Sequence, residues 1–131
     1  MKAEDLLVKA IRAAASAKVL LDNGDTDGAC NRAYYAMFDA ARAALLASNS
    51  PVEPEIAKTH SGLIQAFSLH LVKTGRVPVT LGKTLNKADE LRLVADYKGD
   101  PIAAEEAAWV VDQAAVFVKA MRDKFLPEFN G

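Results

Sequence analysis

The sequence predicts an all-α fold, a single antiparallel bundle of about five helices, on three observations. Apolar residues recur at i, i+3, i+4 and i+7 along nearly the whole chain. Alanine is the commonest residue, and alanine and leucine together favour helix. No segment alternates apolar and polar residues for long enough to make a strand. Short connections between the periodic segments favour neighbouring antiparallel helices.

The first helix is expected over residues 3–22, with Leu6, Ala10, Ala13, Ala17, Leu20 and Leu21 on one side. Asn23-Gly24 then supplies a left-handed helix end. Asp25 is placed to cap a second helix that continues to about Ser48, with Asp27 in its first turn, where the helix dipole favours a negative charge. Pro51 and Pro54 keep the next connection irregular. A third helix is expected over 58–73, its stripe being Leu63, Ile64, Phe67 and Leu71, before Gly75 and Pro78. The fourth spans 79–97. Gly99-Asp100-Pro101 reads as a glycine stop, an aspartate cap and a proline at the first position of a fifth helix that ends near Phe125.

The 131 residues fit one domain spanning 1–131, with enough apolar material to fold without a disulfide or a structural metal. Cys30 is the lone cysteine, so neither an internal disulfide nor a cysteine-based zinc site is available. Its helical face is shared with Tyr34, Ala41 and Leu45, which predicts a core position. A net charge of −1 excludes a generically basic nucleic-acid tail. No stretch has the length of a membrane span, and the acidic start, Glu4-Asp5, is unlike a secretory signal. The expectation is a cytoplasmic domain, without contact to membranes, that needs no cofactor or metal.

Several bundle chemistries have no residues to support them. Neither His60 nor His70 follows a glutamate by three positions, as a di-iron carboxylate site requires. Gly82-Lys83-Thr84 matches only the tail of a phosphate loop, because Val77 stands where the first glycine is needed. Three methionines are too few for a flexible peptide groove.

What remains is a set of unusual positions. Residues 56–88 contain no acid and five cations (Lys58, Lys73, Arg76, Lys83, Lys87), so this segment carries +5 and the rest −6. The segment is either a solvated basic face answering acids elsewhere or a surface for an anion. Arg92 falls within the apolar stripe of Leu81, Leu85, Ala88 and Ala95. It has Asp89 at i−3 and Asp96 at i+4, within side-chain reach. Two roles fit it: a buried arginine held by the aspartates, or an arginine aimed at phosphate and oriented by Asp96. Lys58, Thr59, His60 and Ser61 cluster donors near a helix start, where an anion is favoured. On the second helix, Tyr34, Phe38, Ala41 and Leu45 form the apolar stripe, and Asn31, Tyr35, Asp39 and Arg42 run down its shoulder. The last helix has two apolar faces, one with Val110, Phe117, Met121 and Phe125 and another with Ile102, Trp109 and Val116. The second face predicts a homodimer.

Three blocks in order, Arg32-Ala33-Tyr34-Tyr35-Ala36-Met37-Phe38, Lys58-Thr59-His60-Ser61-Gly62, and Arg92 with Asp96-Tyr97, resemble the HEPN family over most of the chain. The resemblance implies a small dimerising helical bundle, often encoded beside a minimal nucleotidyltransferase as a toxin–antitoxin pair. Many members are metal-independent ribonucleases, whose motif is an arginine, a polar residue and a histidine a few positions beyond. Here Leu93 follows Arg92 and no histidine comes after His70. The expected function is therefore a HEPN domain outside the standard ribonuclease branch. It would bind RNA, a nucleotide or a partner nucleotidyltransferase through Lys58, His60, Arg92, Asp96 and Tyr97. The alternatives are a ribonuclease using Arg92 with His60 and a purely structural interaction module. Tyr97 stands nearest to the tyrosine that partner transferases adenylylate in some family pairs.

Overall fold

The computed structural model describes residues 1–130. Among them, six α-helices form the antiparallel bundle: α1 (Ala3–Asp22), α2 (Thr26–Ala47), α3 (Pro54–Ala57), α4 (His60–Phe67), α5 (Val79–Tyr97) and α6 (Ala104–Phe125). A π-helical turn, Ser68–Val72, extends α4. The described residues include no strand, and none of these helices is long and apolar enough to cross a membrane.

Helix α2 is the middle of the bundle, packed against α1, α4, α5 and α6. Its sequence suits that position. Ala29, Ala33, Ala36, Ala40, Ala41, Ala43 and Ala44 are all buried, so neighbouring backbones approach from several sides. Larger residues fill the remaining space: Leu6 and Leu7 from α1, Leu63 and Phe67 from α4, Leu85 from α5, and Val110, Phe117 and Met121 from α6. The Phe67 and Phe117 rings meet at 5.6 Å. Cys30 is fully buried, as its helical face predicts.

The first turn between helices forms as expected. Gly24 takes a φ of +83°, and Asp25 Oδ1 accepts the Gly28 amide at 2.8 Å. Two expected boundaries are corrected. The region 58–73 is not one uninterrupted helix. Pro54, with no amide hydrogen to lose in a first turn, starts the short α3. Thr59 then breaks the path and caps α4, and the helix widens into the π turn, where the Lys73 amide bonds to the Ser68 carbonyl at 2.8 Å. The last helix does not begin at Pro101. The Ile102 amide donates to Asp27 Oδ1 at 2.9 Å and the Ile102 side chain is buried. The chain therefore stays extended until Ala104, and Glu105 and Glu106 occupy the first turn of α6.

Burial, followed by the charges of Asp27 and Glu106, pushes the Cys30 thiol from 9.0 up to about 11. The folded state thus holds a proton that the unfolded state releases first. Cys30 contributes stability in full below about pH 9, and loses it as pH rises towards about 11. Urea denaturation across this window should show a loss attributable to Cys30 that approaches about 3 kcal/mol. In Cys30→Ala the decline should be shallower; equal slopes would remove Cys30 as its source.

Candidate functional site

Three aromatic residues of α2 build the site. Tyr34 and Phe38 are one helical turn apart, and Tyr35 sits on the adjoining shoulder, with ring centroids 5.2–6.0 Å from one another. His60, the first residue of α4, rests against all three rings, at 5.5 Å from Tyr34, 5.8 Å from Tyr35 and 5.4 Å from Phe38. Its Nδ1 is hydrogen-bonded to the Tyr34 hydroxyl at 2.8 Å, and its Nε2 lies 3.4 Å from the Tyr35 hydroxyl.

The corner before α4 fixes where His60 enters. Thr59 Oγ1 accepts the Gly62 amide at 3.0 Å and donates to the Ile56 carbonyl at 2.9 Å. A Cβ on Gly62 would run into both the Ile56 carbonyl oxygen and Thr59 Oγ1, so the corner needs glycine there.

Each of the three rings also carries an arginine. Arg92 from α5 lies 4.9 Å over Tyr34, Arg32 lies 5.5 Å over Tyr35, and Arg42 lies 5.9 Å over Phe38. Their charges are answered unequally. Arg92 donates through Nε (3.2 Å) and Nη2 (2.8 Å) to Asp89 Oδ1, and through Nη1 (3.3 Å) to Asp96 Oδ2. Asp96 in turn accepts from Asn31 of α2 at 3.4 Å. Arg42 has Asp39 at 3.9 Å. Arg32 forms no ion pair among the described residues, and its Nε is buried without a hydrogen-bond partner.

Burial shapes the ionisation of these groups. It pushes the Tyr34 hydroxyl upward, reinforced by the Asp89 charge and opposed by Arg92. Burial works against the charge on Arg92, but the hydrogen bond and charge of Asp89 outweigh it and hold the guanidinium above its ordinary value. Burial also raises the Asp39 carboxyl, against the pull of Lys9, Arg42 and Arg32.

Of the residues singled out in the sequence, Arg92 and Asp96 come together as a buried arginine held by its aspartates; Arg92 is only 6% exposed. His60 joins them through Tyr34, meeting its hydroxyl while Arg92 covers its ring. Lys58 stays outside this cluster, exposed and paired with Glu55 at 3.4 Å. Tyr97 is 78% exposed and takes no part in the hydrogen bonds around His60. Elsewhere in the acid-free segment, Lys87 pairs with Glu90 at 3.8 Å and Arg76 covers the Phe125 ring at 5.3 Å. Arg32 and Arg42 as ring partners were not foreseen. Their signal is positional: an arginine three residues before Tyr35 and another four after Phe38 on one helix.

The model of the family described as HEPN domain matches residues 3–124. The chain belongs to the HEPN family. A UPF0332 protein of Gloeobacter violaceus is 36% identical over 118 residues, covering 88% of this chain and 90% of that one. A protein of Methanocaldococcus jannaschii named "putative toxin" is 36% identical over 107 residues, 82% of this chain and 76% of its own. A second protein of that organism and name is 31% identical over 128 residues, 97% and 83% of the respective chains. In this HEPN chain the arginine that would head a ribonuclease motif is committed to Asp89 and Asp96, and the histidine beside Tyr34 comes from an earlier helix.

Arg92→Ala removes the counter-charge of two aspartates and uncovers the Tyr34 ring. The expected cost is roughly 2–4 kcal/mol, below that of a fully buried pair because the aspartates are partly exposed. Arg92→Lys should recover only part of it, since lysine lacks the planar fork that reaches both carboxylates. Urea denaturation of both variants measures this; an unchanged midpoint for Arg92→Ala would contradict it.

Proposed function

We propose that this chain is a toxin-like HEPN domain that binds RNA, as a homodimer, at the face where His60 and Tyr35 reach solvent, without the standard arginine–histidine ribonuclease site. The observation that carries this reading is the division of labour around Tyr34. Arg92 is buried with each of its nitrogens bonded to a carboxylate, whereas His60 and Tyr35 are half-buried, with Arg32 over the Tyr35 ring and Arg42 over the neighbouring Phe38 ring. Half-exposed aromatic surface next to cations suits unpaired bases and their phosphates. The names of the two Methanocaldococcus relatives support the toxin-like role. A minimal nucleotidyltransferase is the partner the family resemblance favours, with the exposed Tyr97 as the residue it would modify.

The second reading is metal-independent cleavage with His60 as the base, favoured by the continuous contact His60–Tyr34–Arg92. End-labelled single-stranded RNA incubated with the protein in EDTA separates the two. A retarded, uncut band that weakens steeply with salt is expected. It should be lost in His60→Ala with the fold intact by circular dichroism. Cleavage that disappears in His60→Ala would establish the second reading instead.

The homodimer rests on α6. Its inner face is filled by Val110, Phe117 and Met121, while Trp109 and Val116 remain 41% and 47% exposed. Light scattering after size exclusion should report twice the chain mass for the wild type and a shift towards monomer for Trp109→Glu with Val116→Glu. A wild-type monomer would refute the dimer.

A further inference from the structure

Three arginines stand on three rings around His60, and their surroundings differ in one respect. Arg92 has two carboxylates and Arg42 has one at 3.9 Å, but Arg32 has none in ion-pair contact among the described residues. Its Nε lies buried with no acceptor in the described structure. That buried Nε is out of reach of a ligand, but Arg32 itself is only half-buried, and no hydrogen bond among the described residues engages its terminal nitrogens, which leaves them open to a ligand oxygen. The nearby acid, Asp39, does not engage them: among the described residues its ion pair is with Arg42. Stacking on Tyr35 at 5.5 Å restricts the guanidinium, and a planar fork held in place matches two oxygens of a phosphate better than a flexible ammonium does. Tyr35 also links Arg32 to the His60 face, its hydroxyl 3.4 Å from His60 Nε2.

We propose that Arg32 is the phosphate-contacting residue of this site, its two terminal nitrogens taking the oxygens of one RNA phosphate while Tyr35 holds the guanidinium in position. The assignment rests on the RNA-binding reading above. It moves the anion-binding role from Arg92, whose donors serve Asp89 and Asp96, to a residue of α2 with no such commitment.

The test is fluorescence anisotropy of a 5′-labelled single-stranded RNA titrated with wild type, Arg32→Gln, Arg32→Lys and His60→Ala, each at several salt concentrations and each checked by circular dichroism. Arg32→Gln should weaken binding roughly 10-fold or more and lower the salt slope by about one. Arg32→Lys should keep the salt slope but bind about 3-fold or more weakly, for want of the fork. Lys18→Gln, at an exposed lysine paired only with Asp22, should bind as wild type does. If Arg32→Gln matches the wild type while His60→Ala loses binding, the assignment of Arg32 fails and the RNA reading stands. Should Arg32→Gln not fold, Arg32→Lys decides: wild-type affinity overturns the phosphate contact, and weaker binding at unchanged slope supports it. If the wild type binds no RNA, both readings fall.

Discussion

Tyr34 joins three helices at one point. Its backbone belongs to α2, its hydroxyl is bonded to His60 at the start of α4, and its ring lies under Arg92 of α5. Because α2 is the middle of the bundle, any displacement of this ring is transmitted to both neighbours. A buried phenol needs a partner for its hydroxyl. An arginine in an apolar stripe needs both counter-charge and a surface to lie on. Tyr34 meets the first need with His60 and supplies the surface for the second. The polar part of the interior is thus arranged around a residue that also fills the core.

The charge balance around it is local. Asp89 and Asp96 come from the same helix as Arg92, three residues before and four after, so the pair forms wherever α5 forms and does not depend on how α5 docks. Docking is secured separately, by the Asn31–Asp96 contact and by the packing of Arg92 on Tyr34. With its charge settled within one helix, Arg92 is available for packing and its ion pairs leave little donor capacity for a ligand.

Much of this was legible in the sequence wherever the determining contacts are local. The extents of α1 and α5, the Asp25 cap, the core position of Cys30 and the aspartates around Arg92 all follow from spacing within one helix or across one turn. The misjudged boundaries have causes that spacing does not display. Pro54 opens a helix instead of merely keeping the chain irregular, and the start of α6 is set by Asp27, far away in the chain. The aromatic cage was legible only in part. Tyr34 and Phe38 read as an apolar stripe and Tyr35 as its shoulder, but nothing in their spacing says that a histidine from another helix will settle among them. Nor does the pattern reveal that Arg32 will lack an acidic partner, since that is a statement about which elements pack beside it.

The bond between Asp27 and the Ile102 amide has a further consequence for the order of folding. Its partners are 75 positions apart, so no local fluctuation brings them together. Closing so large a loop costs chain entropy that only the docking of α6 on α2 offsets. Until that docking occurs, nothing fixes the extended entry to α6, and the first turn of that helix has no side-chain cap of its own. The amides of that turn should therefore exchange with solvent well before those in the middle of the same helix, where Val110, Ala114 and Phe117 are fully buried.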